Sequence, residues 1–217
     1  MDDNKQFWQR VSKFYASFMK SSQTLYESIT KRVVPYLNRD MNVLELSCGT
    51  GQLSFRLSSR VRLWEATDFS DKMIAEAKKQ GAYSSRLHFS VQDATDLPYA
   101  PESFDAVMIS NALHIIPQPE KAMEEIWRVL KGGGTLFAPT FIHGESNGFR
   151  FRIRLMSLIG FKTYSKWSAD AFVEFVKQYG FEIKERMIID SKLMPVCCLI
   201  AEKKLSGEVE RLILSAK

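Results

Sequence analysis

Apolar residues recur along this chain in two rhythms. Phe7, Val11, Phe14 and Phe18 stand three or four residues apart, and Leu25, Ile29 and Val33 repeat that spacing after a Ser21-Ser22 break. A period near 3.6 residues predicts two helices within the first forty positions. Residues 42–47 (Asn-Val-Leu-Glu-Leu-Ser) then read as a short strand running into Gly49-Thr50-Gly51, with a helical stretch to about Ser59. Val61 to Thr67 is a second strand and Ser70 to Gln80 a second helix, with Gly81 as its stop. Leu87 to Gln92 and the nearly all-apolar Phe104 to Ser110 continue the strands. Pro119 to Leu130 reads as a helix with proline at its start, and Gly132-Gly133-Gly134 is expected to turn the chain into a strand over Thr135 to Phe141. Strand–helix alternation of this kind predicts an α/β fold, a parallel sheet with helices on both faces.

After Phe141 the rhythm breaks. Residues 142–167 are a loop with an aromatic and basic stretch. Ser168 to Tyr179 reads as a helix capped by Ser168 and stopped by Gly180. Phe181 to Ile189 and Val196 to Lys203 have strand character, and the short link between them predicts antiparallel pairing. Leu205 to Ala216 reads as a last helix. The organisation expected is an N-terminal helical cover over 1–40 and a main domain over 41–217, with 142–167 as a lid segment.

Composition narrows the class. The chain has 217 residues with Lys+Arg 30 against Asp+Glu 25, a formal charge of +5, and 45% hydrophobic residues. That is ordinary for a globular domain and too apolar for intrinsic disorder. The charge excess is too small to imply a nucleic-acid partner. No apolar run approaches the roughly 18–20 residues that a transmembrane helix needs. Met1 to Lys5 is polar with no apolar signal core behind it, and three cysteines make no disulfide framework, so a cytoplasmic location is expected. Cys197 and Cys198 are neighbours on one strand and point to opposite faces, and no metal-ligand cluster appears.

The sharpest local signal is the strand–glycine turn–helix passage Val43-Leu44-Glu45-Leu46-Ser47-Cys48-Gly49-Thr50-Gly51. Glycines let a backbone approach a ligand, and the free N–H groups of a helix start can hold a carboxylate or phosphate. Asp68 stands 21 residues after Ser47, at the end of the second strand, where a carboxylate can accept from both hydroxyls of a ribose. These residues point to an adenosine-type cofactor bearing an acidic or phosphate group. The dinucleotide pattern G-x-G-x-x-G/A is not met: counting from Gly49 its third position is Ser54, and counting from Ser47 it is Gln52.

Five passages, in this order, resemble the class I S-adenosylmethionine-dependent methyltransferases, of the small-molecule type related to the ubiquinone and menaquinone methyltransferases. They are residues 43–51, Asp68-Phe69-Ser70-Asp71-Lys72-Met73, Gln92-Asp93-Ala94-Thr95-Asp96-Leu97-Pro98, Phe104-Asp105-Ala106-Val107, and Glu125 to Gly134. The resemblance implies a Rossmann-like, mostly parallel seven-stranded sheet whose last strand is antiparallel, and S-adenosylmethionine as cofactor with S-adenosylhomocysteine as product. It implies that Glu45 anchors the loop or, through water, the cofactor ammonium. Ser47, Gly49 and Gly51 would pack on the aminocarboxypropyl arm. Asp68 would hold the ribose, with Phe69 and Met73 against the adenine. Asp93 and the Ala94 N–H would meet the adenine edge. Asn111 would offer its carbonyl to the ammonium, and Tyr15 would touch the carboxylate or simply pack on the core. One departure is plain: the family has glycine where this chain has Ser47, and serine is expected to fit with a negative φ. Asp105 reads as a loop-orienting residue outside the site.

Methyl transfer is an in-line displacement in which the protein chiefly aligns the partners and removes a proton where one must leave. His114, three residues past Asn111, is the candidate catalytic base or substrate contact. His143 is a second candidate at the same sheet edge, whereas His88 reads as structural. The Asn/Asp-Pro-Pro-aromatic motif of amino-methylating enzymes is absent after the fourth strand, which carries Asn111-Ala112-Leu113-His114, and so is a cysteine nucleophile. Arg150, Arg152, Arg154, Lys162 and Lys166, interleaved with apolar residues, suit a lid over an anionic or amphipathic acceptor, a membrane surface, or a helix with one solvated basic face. Two rival readings stand beside methyl transfer: a nicotinamide-dependent oxidoreductase, and a non-catalytic S-adenosylmethionine-binding module.

Overall fold

The computed structural model describes residues 3–19, 22–80, 85–142, 162–191 and 194–205. The chain begins with α1 (Asp3–Met19) and α2 (Gln23–Val33), and then alternates β1 (Asn42–Leu46), α3 (Ser54–Leu57), β2 (Leu63–Asp68), α4 (Asp71–Lys79) and β3 (Leu87–Val91). It continues through β4 (Phe104–Ile109), α5 (Pro119–Val129), β5 (Leu130–Phe141), α6 (Ala169–Gln178), β6 (Phe181–Ile189) and β7 (Val196–Lys203). The strands form one seven-stranded sheet in the order β3-β2-β1-β4-β5-β7-β6. The first five pair in parallel, and β7 slots between β5 and β6 and runs against both.

Side-chain alternation along each strand divides the core in two. Val43, Trp64, Met108 and Phe137 pack on one face with Leu25, Ile29 and Val33 of α2. Leu44, Val107, Leu136 and Leu199 pack on the other with Ile126 of α5 and Phe172 of α6. Half of the N-terminal region, α2, is therefore woven into the main core. The caps follow the chemistry read from the chain. Ser70 accepts from the Met73 N–H and Ser168 from the Ala171 N–H, each satisfying a donor at a helix start. Gly180 ends α6 with φ +80°.

Two local expectations change. The three glycines at 132–134 lie inside β5, which begins at Leu130. Gly133 has φ +74°, and the pairing with β4 jumps from Phe104–Leu130 to Ala106–Thr135, so the glycines form an irregular strand start with a bulge rather than a turn. Gly81, His143, the arginines at 150, 152 and 154, and all of the last expected helix after Leu205 lie outside the described residues.

Asp105 accepts from the Asn42 N–H at 2.8 Å and pairs with Lys131 at 2.6 Å, so it ties β1 to β5 across the end of the sheet remote from the glycine loop. Phe172 is fully buried in the second core and does not line the cavity at that loop. Phe172→Ala is expected to cost about 3–5 kcal/mol of folding stability through the cavity it leaves, read from urea unfolding, with ligand affinity at the glycine loop unchanged.

Candidate functional site

The sheet order reverses between β1 and β4, and the carboxyl ends of these two strands open a crevice where α/β sheets bind ligands. A cavity of about 510 Å³ lies there. Of the residues expected at the site, Tyr15, Ser47, Gly49, Asp68, Phe69, Met73, Asp93, Ala94 and Asn111 line it.

The loop after β1 is clamped by its own main chain. The Cys48 N–H donates to the Thr67 carbonyl at 2.8 Å, and the Gly49 N–H donates to Asp68 Oδ2 at 2.9 Å. The Ser70 N–H donates to Asp68 Oδ1 at 2.8 Å. Asp68 thus bridges the glycine loop and the start of α4, and each of its oxygens keeps a lone pair for a further donor. Burial pushes its carboxyl up to about 6, against the two N–H donors, which pull it down.

Gly49 and Gly51 adopt φ +56° and +84°. A Cβ at Gly51 would stand 2.6 Å from Phe55 Cε2, and one at Gly49 would stand 3.2 Å from Tyr15 Cε1. The first glycine needed for packing is therefore Gly51, which does not line the cavity; Gly49 does, and it brings the Tyr15 ring against the loop. Ser47 departs from its expected backbone: its φ is +55°, in the left-handed region, where an L side chain costs roughly 1–2 kcal/mol. The bonds from the neighbouring Cys48 and Gly49 N–H groups hold the loop in which Ser47 takes this conformation.

Glu45 lies beneath the loop and not in the cavity wall. Its Oε2 accepts from Ser54 Oγ at 2.5 Å and from Trp64 Nε1 at 2.7 Å, which joins β1, α3 and β2. Burial raises its carboxyl to about 7, and these two donors and the nearby Asp68 only modify that effect. Tyr15 and Tyr26 share a hydrogen bond above it, and Tyr15 is pushed up to about 12 by burial and by the charge of Asp68.

On the far wall, Asp93 Oδ1 accepts from the Thr95 N–H at 2.9 Å and the Thr95 hydroxyl at 2.7 Å, closing a tight turn that presents Asp93 and Ala94. Asn111, with φ +53°, donates its N–H to the Pro139 carbonyl at 2.7 Å. Its Oδ1 is buried and meets no partner. The short 3-10 turn Leu113–Ile115 then swings His114 inward. His114 is 3% exposed and packs edge-to-face on Phe141 at 5.8 Å. The cavity wall runs through Ala112, Ile115 and Ile116 instead. The His114 carbonyl accepts from the Tyr164 and Ser165 N–H groups at 2.9 and 3.2 Å, so the turn ties down the segment around Tyr164.

Several wall residues were missed. Trp8 stands two helical turns before Tyr15 on the same face of α1 and touches it edge-on at 5.6 Å; the spacing was a signal. Ile115, Ile116 and Pro117 continue the same sheet edge as Asn111. Tyr164 has no local signal, because only its tie to His114 brings it to the cavity.

A nucleotide-type cofactor site at the switch point of a Rossmann-like sheet is what this geometry defines. Residues 44–138 match the family model of a methyltransferase domain. A demethylmenaquinone methyltransferase of Clavibacter sepedonicus is 38% identical over 107 residues, 49% of this chain and 43% of the relative. The ubiquinone/menaquinone biosynthesis C-methyltransferase UbiE of Rhizobium meliloti is 34% identical over 144 residues, 64% of this chain and 52% of the relative. Among solved structures, a magnesium protoporphyrin IX methyltransferase of Synechocystis PCC 6803 with bound S-adenosylhomocysteine has a TM-score of 0.65 at 22% identity, over 85% of this chain and 84% of that one; the likeness is one of fold. Residues 44–138 are thus similar to a methyltransferase domain, and the chain is similar over part of its length to demethylmenaquinone methyltransferases and to UbiE. The chain spans about half the length of the curated relatives it matches.

Glu45 supplies a pH test of the site. Its folded carboxyl, near 7, lies above the ordinary 4.5, so folding takes up a proton between these values. That contribution to stability is whole below about 4.5 and is lost as pH rises through about 7. The raised carboxyl of Asp68 acts in the same direction between 3.8 and about 6. Glu45→Gln keeps an acceptor for Ser54 and Trp64 but cannot ionise. Its loss of stability between pH 5 and pH 8 is expected to be smaller than the wild type's by about 2–3 kcal/mol in urea unfolding.

Proposed function

We propose that this protein transfers a methyl group from S-adenosylmethionine to a small-molecule acceptor at O, N or an activated carbon, leaving S-adenosylhomocysteine. The observation that carries the reading is the convergence of Asp68, the Ser47–Gly49 loop, Asp93-Ala94 and Asn111 on one cavity. The donor set fits the cofactor: a carboxylate with spare lone pairs for a ribose, a glycine cradle that a Cβ would fill, and a buried polar atom at Asn111 without a partner.

When bound, the cofactor supplies a methyl group on a sulfonium centre, which is already electrophilic. The residues of the chain have the remaining tasks. Asp68 orients the ribose, and Phe69 and Met73 flank the adenine. Asp93 and the Ala94 N–H read its edge. Trp8 and Tyr15 of α1 act as a cover on the cavity; most of the expected lid, 143–161, lies outside the described residues. His114 acts by position: its carbonyl holds Tyr164 in the wall, and its ring supports Phe141.

The acceptor chemistry follows from the rest of the wall. Trp8, Ile115, Ile116, Pro117 and Tyr164 give an apolar and aromatic surface. Asp68 and Asp93 line the cavity, and no Lys, Arg or His does so among the described residues. That balance favours a neutral amphipathic acceptor with a flat face over an anionic one. The C-methylation named for the UbiE relative is one such reaction.

Calorimetric titration of wild type and Asp68→Ala with S-adenosylmethionine, S-adenosylhomocysteine and NADH tests the cofactor. The first two are expected to bind in the micromolar range and to weaken by about 100-fold in the variant, which loses two charge-assisted hydrogen bonds. Binding of NADH alone would sink the proposal in favour of the oxidoreductase. With methyl-labelled cofactor, neutral aromatic acceptors are expected to take label ahead of carboxylated analogues. Tyr164→Ala is expected to raise the acceptor KM by about tenfold with S-adenosylhomocysteine affinity unchanged. Faster labelling of carboxylated analogues would mean that charge is read by residues other than these.

A further inference from the structure

Phe14 is 74% exposed, more than any other large hydrophobic side chain described. It belongs to the outer face of α1. Phe7 and Ser12 are buried and Trp8 and Tyr15 line the cavity, whereas Arg10, Lys13 and Phe14 lie on the far side of the helix and are exposed. The chain after residue 161 repeats this arrangement without a helix. Lys162, Tyr164 and Lys166 are exposed, and Thr163, Ser165 and Trp167 between and beyond them are half-buried. Trp167 packs inward on Phe172 and Phe175, and Tyr164 lines the cavity while 43% exposed.

One exposed aromatic residue is ordinary on a protein surface. Here two elements that border the same opening each carry an aromatic side chain beside two cations. Asp71, the acidic residue that meets α1, is taken up by Gln9, whose Nε2 donates to its Oδ1 at 2.7 Å. Glu120, just past the wall residue Gln118, is an exposed counter-charge. The interior has the opposite sign, with Asp68 and Asp93 in the wall and no cation among the described lining residues. A cationic and aromatic rim around a largely apolar cavity has the composition of a surface that meets lipid headgroups. Lysine and arginine are drawn to anionic headgroups, and aromatic rings settle at the depth where water gives way to acyl chains. A protein partner would call for a contiguous apolar patch, which single aromatics set among charges do not make.

We propose that this rim docks on an anionic lipid bilayer, with Phe14 and Tyr164 entering the headgroup layer and Arg10, Lys13, Lys162 and Lys166 facing its phosphates, so that the cavity mouth meets the membrane. The docking rests on the rim alone. Its use, delivery of an amphipathic acceptor from the bilayer, rests on the proposed function.

Co-sedimentation of the full chain with sucrose-loaded vesicles tests the docking. The protein is expected to pellet with phosphatidylcholine vesicles containing about 30% phosphatidylglycerol, to stay in solution with phosphatidylcholine alone, and to be released by about 0.5 M salt. Arg10→Glu with Lys13→Glu is expected to weaken binding at least roughly tenfold, and Phe14→Ser about tenfold. Lys31→Glu with Arg60→Glu makes the same charge change on exposed residues at the other end of the sheet, and is expected to stay within about twofold of wild type. Thermal unfolding is expected to be unchanged in all of these, because every substituted side chain is exposed. Absence of pelleting with anionic vesicles, an equal loss in the remote pair, or wild-type binding in both rim variants would overturn the proposal. A concentration-dependent dimer that Phe14→Ser abolishes, in a protein that leaves vesicles untouched, would overturn it too, since a second copy of this chain would then occupy the rim. Vesicle binding without any affinity for S-adenosylhomocysteine would count against the cofactor reading and leave the docking standing.

Discussion

The site depends on a carboxylate removed from water. Asp68 is held by one N–H from the loop after β1 and one from the start of α4, and these two bonds connect segments that would otherwise be separate turns. Burying a carboxylate is costly unless donors surround it, and here burial still outweighs the donors, which leaves the carboxyl near 6. The loop cannot relax away without stripping the carboxylate of a partner. The positive φ values at Ser47, Gly49 and Gly51, the approach of Tyr15 to Gly49, and the placing of Ser47 in the wall all follow from that clamp.

The electrostatics around the clamp have one sign. Glu45 and Asp68 are both buried with raised carboxyls, and Asp93 stands in the opposite wall. No cation among the described lining residues offsets them. A site built this way holds negative charge in reserve for a ligand that brings positive charge, and in the proposed cofactor the sulfonium and ammonium do so. The cost appears in the protein without ligand, whose carboxyls are less comfortable ionised in the fold than in the unfolded chain.

Much of this was legible along the chain. The strand and helix alternation, the Ser70 and Ser168 caps and the β6–β7 hairpin rest on short-range chemistry, which a sequence displays directly. So do Asp68 and the glycines, which stand at the ends of strands that announce themselves, whereas Asp93 was legible only through the family resemblance. What was not legible comes from contacts between distant segments. Tyr164 reaches the cavity through the His114 carbonyl, and the His114 ring turns inward because a 3-10 turn directs it to Phe141. Lys203 is buried with its Nζ on the carbonyls of Trp127 and Leu130, where it completes the end of α5; nothing near it in sequence tells this lysine from an exposed one. The Ser47 backbone goes the other way from the expected negative φ in a loop held by two hydrogen bonds, from the Cys48 and Gly49 N–H groups, neither made by Ser47 itself.

Ser47 and Glu45 show two ways in which a binding site can weaken the fold that carries it. They sit two residues apart at the end of β1, and each breaks a local rule: a side chain where φ suits glycine, and a carboxylate where the surroundings suit an apolar group. The two costs have different physical signatures. Strain in a backbone dihedral does not change with pH, whereas the cost of a buried carboxylate grows as pH rises through its raised value. Glu45 also lies outside the cavity wall and Ser47 lies in it. The carboxylate therefore shapes the cavity only through the loop above it, whereas the serine stands in the wall itself. A fold that tolerates both in so short a span relies on the rest of the sheet for its stability, above all on the two apolar faces that β1 buries with Val43 on one side and Leu44 on the other.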